Sequence, residues 1–293
     1  MLGLSALLLA AATPAIVEQT GPHILVAGPI VVQSLTYGPE PRQGLELFTR
    51  ERAGRGPLIV YLHGGGWSAG SPRDGARGAQ AEHWTSLGYA YATVAYRYVP
   101  IVTAEEQLRD IAKAIAFLRR QRGVDGRRII LIGHSSGATM AAQLGTDPQW
   151  LEGARVPFAD LKAVVLLDPS VLDIAPLMAA AEAPAVERYF RPAFGDDPVR
   201  WSQLSPIKQV GARDAPAWAI LTDANNVFAA AQGGDFAAAL IGAGAKEARV
   251  TPIPDTSHMQ LNNQIGQTDD RATAAIDAFL ARALPEMQRP RFR

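Results

Sequence analysis

The pentapeptide Gly133-His134-Ser135-Ser136-Gly137 constrains this chain more than any other stretch. The apolar run Arg128-Ile129-Ile130-Leu131-Ile132 enters it and Ala138-Thr139-Met140-Ala141-Ala142 leaves it. A strand that feeds a helix through so short a turn must bend sharply. Glycines on either side of the bend remove the Cβ atoms that would collide as strand and helix close on each other. In that geometry Ser135 stands above the C-terminal edge of a sheet, over a helix N-terminus whose dipole favours negative charge. The same five residues also describe a plain strand-to-helix turn with an incidental serine, so the rest of the chain has to separate the two readings.

Around this turn, short β-branched or aromatic runs alternate with longer runs of helical period. Pro29 to Tyr37 and Leu45 to Arg50 read as two strands joined through Gly38-Pro39-Glu40-Pro41, an antiparallel start to a sheet. Leu58 to Leu62, Ala90 to Tyr96, Arg128 to Ile132, Ala163 to Leu167, Ala217 to Leu221 and Arg249 to Ile253 follow. The first two of these runs, Leu58 to Leu62 and Ala90 to Tyr96, are apolar and uninterrupted, as strands buried on both faces are. Thr103 with Glu106 forms a capping-box signature, and Leu108, Ile111, Ile115 and Leu118 follow at helical spacing, which predicts a helix over 104–121. A second helix is expected over 270–284. The pattern is that of an α/β domain with a mostly parallel central sheet, helices on both faces and a ligand site at the carboxyl ends of the strands. The stretch of about 168–215, rich in proline and aromatics, is too long for a plain connection and predicts a small cap between strands 6 and 7.

With 293 residues, 48% of them hydrophobic, the chain is long enough for one sizeable core spanning residues 16–293. Lys+Arg and Asp+Glu both number 28, so no basic field is present to hold nucleic acid. There is no cysteine, which excludes disulfides, thiolate metal sites and a thiol nucleophile. Residues 1–15 form an apolar run ending in small residues. It is too short to span a bilayer and has the size of a signal-peptide core, though no Lys or Arg precedes it. Export to the periplasm or medium is the expectation, a cytoplasmic protein with a frayed N-terminus the alternative. Nothing in the pattern bears on oligomeric state.

Seventy residues before the turn, Leu58-Ile59-Val60-Tyr61-Leu62 runs into His63-Gly64-Gly65-Gly66-Trp67. Consecutive glycines let backbone N–H groups point into open space, as stabilisation of an acyl-transfer oxyanion requires. The expected donors are the amides of Gly64, Gly65 and Ser136, with Trp67 and His134 lining the substrate pocket. A dinucleotide loop would fit the glycine spacing but needs a helix to open there. Ser68-Ala69-Gly70-Ser71-Pro72 is a poor helix start, so no cofactor is expected. No H-E-x-x-H or paired-carboxylate pattern supports a metal. A serine nucleophile needs a base, and the chain order Ser, acid, His leaves His258 as the one histidine downstream of Ser135. For the acid, Asp223 at the end of Ala217-Trp218-Ala219-Ile220-Leu221-Thr222 is favoured, with Asp168 and Asp173 as alternatives.

Taken together, His63-Gly64-Gly65-Gly66-Trp67, Tyr96-Arg97, the helix carrying Asp110, Gly133 to Gly137, Leu167-Asp168, Ser205-Pro206 and His258 resemble the α/β-hydrolase superfamily. Within it the likeness is to the hormone-sensitive-lipase-like and kynurenine-formamidase-like esterases. That resemblance implies an eight-stranded sheet, no cofactor, and hydrolysis of small carboxylic esters through an acyl-enzyme formed on Ser135. An aryl formamide is the substrate in the formamidase branch. Here the motif around the acid departs from the family pattern: counting back from Gln232 at the formamidase spacing lands on Asn225, two residues from Asp223. A hydrolase fold that binds a small ligand without turning it over is the reading that this departure leaves open.

Overall fold

The computed structural model describes residues 26, 28–51, 53–76, 79–179 and 184–288, so the apolar segment 1–15 lies outside the described residues. Eight strands form one sheet in the order β1-β2-β4-β3-β5-β6-β7-β8. They are Ile30–Thr36 (β1), Gly44–Arg50 (β2), Gly56–Leu62 (β3), Ala90–Val94 (β4), Val124–His134 (β5), Leu161–Leu167 (β6), Ala217–Asp223 (β7) and Glu247–Ile253 (β8). Strand β2 is antiparallel to both β1 and β4, and every other pairing is parallel. Strand β5 begins before its apolar run because Val124 and Asp125 pair with Gly56 and Pro57 ahead of a register shift.

The chain leaves β3 for β4 on one side and returns to β5 on the other, so winding reverses direction beside β3. In open α/β sheets that reversal opens a crevice at the carboxyl ends of the strands. His63 and the glycines leave the end of β3, and Ser135 leaves the end of β5.

Helices cover both faces: Arg73–Ala76 (α1), Gln80–Ser86 (α2), Ala104–Leu118 (α3), Ser136–Thr146 (α4), Gln149–Gly153 (α5), Ile174–Ala179 (α6), Arg191–Phe194 (α7), Pro198–Leu204 (α8), Pro206–Gln209 (α9), Val227–Gly242 (α10), Gln260–Asn263 (α11) and Arg271–Ala283 (α12). The period-2 alternation of the strands sorts the core into two layers. Leu58, Val60, Leu62 and Leu131 pack with Leu108, Ile111 and Ile115 of α3 and Met140 and Leu144 of α4. On the opposite face, Ile59, Tyr61, Ile130 and Ile132 pack with Trp84 of α2 and Ile276, Phe279 and Leu280 of α12. Burying each such side chain contributes about 1.5–3 kcal/mol. The capping box expected at α3 is present: the Glu106 amide donates to Thr103 Oγ1 at 3.2 Å and the Thr103 amide to Glu106 Oε2 at 2.9 Å.

Between β6 and β7 the chain forms the expected cap, made of α6 to α9 and a single π-helical turn, Val186–Phe190. Phe190 and Phe194 of this cap pack against Trp67, with ring centroids 5.6 and 4.9 Å away. Arg200 of α8 binds both carboxylate oxygens of Glu105 at 2.7 Å, tying the cap to the start of α3.

One buried ion pair holds the loop after β4. The Asp110 carboxylate accepts from Arg97 Nε and Nη2 at 2.8 Å each, from Gln43 Nε2 at 2.7 Å and from the Arg97 amide at 3.2 Å. Removing one partner of such a pair leaves the other charged group without compensation. Asp110→Ala is therefore expected to lower the unfolding free energy by about 3 kcal/mol in a urea titration. A loss below about 1 kcal/mol would mean that Arg97 and Gln43 find other partners or water.

Candidate active site

Ser135 caps α4 with φ 56° and ψ −121°, a backbone conformation that L-residues rarely adopt. It is held there by close packing. A Cβ on Gly133 would lie 2.2 Å from the Gly137 carbonyl oxygen, and one on Gly137 would lie 2.2 Å from that of Leu62. The Ser135 amide donates to Leu167 O at 2.9 Å, fixing the turn to the end of β6.

The glycine run lies directly against this serine: a Cβ on Gly64 would stand 3.0 Å from the Ser135 Cβ. Several anchors hold the run open. Gly65 O accepts the Ser68 and Ala69 amides at 3.3 and 3.0 Å, and Trp67 O accepts the Val99 amide at 3.2 Å and Gln107 Nε2 at 2.7 Å. Among the described residues, the amides of Gly64, Gly65 and Ser136 have no protein acceptor. His63 stacks on Tyr96 with centroids 4.3 Å apart, and its Nδ1–H donates to Gly64 O at 2.7 Å. Burial lowers its pKa to about 4, so it stays neutral and structural at pH 7.

His258 follows β8 and reaches the same place. Its Nδ1 lies 2.5 Å from Asp168 Oδ2, a hydrogen bond from the imidazole N–H to a carboxylate that is fully buried. Asp168 follows β6 with φ 47°, and Asn226 Nδ2 donates to both its oxygens at 3.1 and 3.0 Å. This corrects the expectation that Asp223 pairs with the histidine. The Asp223 carboxylate folds back on its own turn, accepting from the Asn225 amide at 2.9 Å and Asn225 Nδ2 at 3.2 Å. From the loop after β7 it is Asn226 that faces the histidine's partner, while its own Oδ1 caps α10 through the Ala229 amide. Asp173 is also elsewhere, 3.3 Å from Lys208 Nζ.

His134 and Trp67 both line the cavity, though neither is the freely presented contact its position suggests. His134 Nε2–H donates to His258 O at 2.8 Å, so the ring clamps the backbone of the loop carrying His258. Burial, reinforced by the neighbouring His258, lowers its pKa to about 4. Trp67 is almost wholly buried between the glycine loop and Phe190 and Phe194. Ser170 was not anticipated. Its Oγ lies 3.1 Å from Ser135 Oγ and its amide donates to Ser135 O at 3.3 Å. Its signal was its position two residues past a strand-end aspartate. The cavity over Ser135 has a volume of about 640 Å³, and Arg188, Tyr189 and Phe190 of the cap and Met259 complete its wall.

Sheet order and elbow together place this fold among the α/β hydrolases. The structure of esterase B from Lactobacillus Rhamnosis superposes with a TM-score of 0.70, covering 92% of this chain and 88% of that one at 19% identity, a likeness of fold. The BD-FAE family model matches residues 45–240, more than half of the chain, and the chain belongs to that family. Esterase LipQ of Mycobacterium tuberculosis is 26% identical over 251 residues, covering 81% of this chain and 59% of that protein. The kynurenine formamidase of Meyerozyma guilliermondii is 29% identical over 166 residues, 55% of this chain and 60% of that one. The matched regions span less than two thirds of either relative. No helix among the described residues is long and apolar enough to cross a membrane.

Asp168→Asn is expected to slow the labelling of Ser135 by a fluorophosphonate by about a thousandfold or more, because a misoriented imidazole no longer takes the serine proton. Asp223→Asn should label at the wild-type rate, and the reverse pattern would restore Asp223 as the partner. The two lowered histidines also set a pH dependence. Between the ordinary value of 6.5 and about 4 the unfolded chain takes up protons that folded His63 and His134 refuse. Their contribution is therefore complete above pH 6.5 and lost as pH falls towards 4, at up to about 3 kcal/mol each. The thermal midpoint should fall steadily from pH 7 to pH 4.5, and by less in His63→Asn.

Proposed function

We propose that this protein is a serine hydrolase that cleaves small carboxylic esters. The observation that carries this reading is the buried Asp168 on His258 Nδ1, in the same cavity as a strained, glycine-flanked Ser135. Ser135 Oγ attacks the acyl carbonyl while His258 Nε2 takes its proton. Asp168 holds the imidazole in the Nδ1–H tautomer and stabilises the imidazolium that forms. Negative charge on the tetrahedral oxygen meets the amides of Gly64, Gly65 and Ser136 and the N-terminus of α4. His258 then returns the proton to the departing alcohol oxygen. Water, activated by the same base, opens the acyl-enzyme and releases the carboxylic acid.

The acyl or aryl group would lie along Tyr189, Phe190 and Trp67, in a volume suited to a substrate of modest size. Ser170 supports this reading as a hydroxyl that holds Ser135 Oγ until a substrate carbonyl arrives. Likeness to a formamidase makes an aryl formamide a reasonable second leaving-group class.

A panel of p-nitrophenyl esters with one aryl formamide tests the reading. Wild type should turn over the shorter esters, and Ser135→Ala should lose at least about ten-thousandfold in kcat/KM. Gly64→Ala, which crowds the serine and the amide donors, should lose about a hundredfold or more. If wild type neither turns over any substrate nor accepts a fluorophosphonate, the fold serves binding alone.

A further inference from the structure

A cavity among the described residues lies away from the catalytic crevice, between the outward face of α3 and the short helix α5. Its volume is about 750 Å³. The floor is apolar: Ala112, Ala116 and Phe117 of α3 face Trp150 and Ala154. The core does not fully cover this side of α3: Ala116 and Phe117 are only half-buried, while Ala112 and Leu118 are fully buried.

The rim carries Arg109, Lys113, Arg120 and Arg155, and no carboxylate lines the groove. Several arginines elsewhere are neutralised: Arg97 by Asp110, Arg119 by Asp160, Arg200 by Glu105, Arg213 by Glu152 and Arg282 by Glu247. Among the described residues none of the four rim cations has a carboxylate within ion-pair distance. A chain with no net charge thus concentrates four uncompensated cations around one apolar trough. A neighbouring depression shares Arg120 and Arg155 and adds Arg55 and Arg127, which extends the positive field in one direction. Arg109 also sits over the Trp150 ring at 5.9 Å, so the cation and the aromatic floor are parts of one surface.

The geometry points to a binding site for an amphipathic monoanion, a carboxylate carried on an alkyl or aryl body. Like-charged side chains gathered round a trough repel one another, and an anion relieves that repulsion. Guanidinium groups are planar donors suited to a carboxylate, and the lining supplies those of Arg109, Arg120 and Arg155, while Phe117, Trp150 and the alanines would take the apolar body out of water. Charge alone would suit a flat anionic surface equally well. The sunken floor between α3 and α5 favours one ligand lying within it.

Isothermal titration with dodecanoate below its micellar range tests this on the full chain. One saturable site is expected, weakening as salt is raised because the rim is exposed. In Arg109→Gln/Lys113→Gln/Arg155→Gln the affinity should fall about tenfold or more, while hydrolysis at Ser135 is unchanged. Ala116→Asp, which sets a carboxylate in the floor, should weaken dodecanoate at least as much. Dodecyltrimethylammonium, with the same tail and the opposite charge, should not compete. Equal affinity in the triple variant would place the ligand elsewhere and overturn the proposal. Competition by inorganic phosphate at dodecanoate's own affinity would also overturn it, as would binding to anionic phospholipid vesicles without binding of monomeric dodecanoate.

Discussion

The close passage of α4 across the ends of β3 and β5 is the constraint on which the site depends. Gly137 lies so near the Leu62 carbonyl, and Gly133 so near the Gly137 carbonyl, that neither position tolerates a Cβ. That contact forces Ser135 into its strained conformation and aims the first amides of α4 past it. Rigid layers on both faces of the sheet hold the strain, since a packed core leaves the turn no room to relax. The glycine loop after β3 needs the same support. Gln107 and Val99 fix Trp67 O, Tyr96 fixes His63 O at 2.6 Å, and Asp110 fixes the segment that carries Tyr96 and Arg97. A crowd of individually modest hydrogen bonds therefore positions two amides.

Most of this architecture was legible in the chain because its signals are local. The uninterrupted apolar runs Leu58 to Leu62 and Ala163 to Leu167 read as doubly covered strands, and both are fully buried. Thr103 and Glu106 announce α3 by the chemistry of its first turn. The elbow is legible for the same reason, since its glycines answer to neighbours within a few residues. His258 was legible from chain order alone.

Asp168 was named only as an alternative to Asp223, and which of them meets the histidine was not legible, for a reason that lies in the geometry of a parallel sheet. Adjacent strands stand about 4.8 Å apart, so the loops after β6 and β7 bring their first side chains within reach of the same imidazole. Which of them turns towards it depends on backbone angles at the strand end. Asp168 takes φ 47° and points inwards, whereas Asp223 closes an Asx turn with Asn225. Asn226 then serves Asp168 as a donor, leaving the loop after β7 in the constellation with its charge removed. The formamidase spacing from Gln232 falls instead on the neighbouring Asn225, which donates to Asp223. Gln232 itself accepts the Leu172 and Asp173 amides at 2.8 and 3.2 Å, bracing the segment that leaves Asp168. Long-range pairings of this kind, 58 and 90 residues apart, leave no local pattern to read.

The buried histidines show how one residue type is divided among roles by environment. His63 and His134 are sealed from water and kept neutral, which suits them to hold backbone rather than move protons. His258 keeps 43% of its side chain exposed while its Nδ1 rests on a carboxylate with no exposure at all. Its ring also lines the cavity over Ser135. The intermediate exposure of His258 follows from its place on a loop beyond β8, gripped from beneath by His134 and from the side by Asp168.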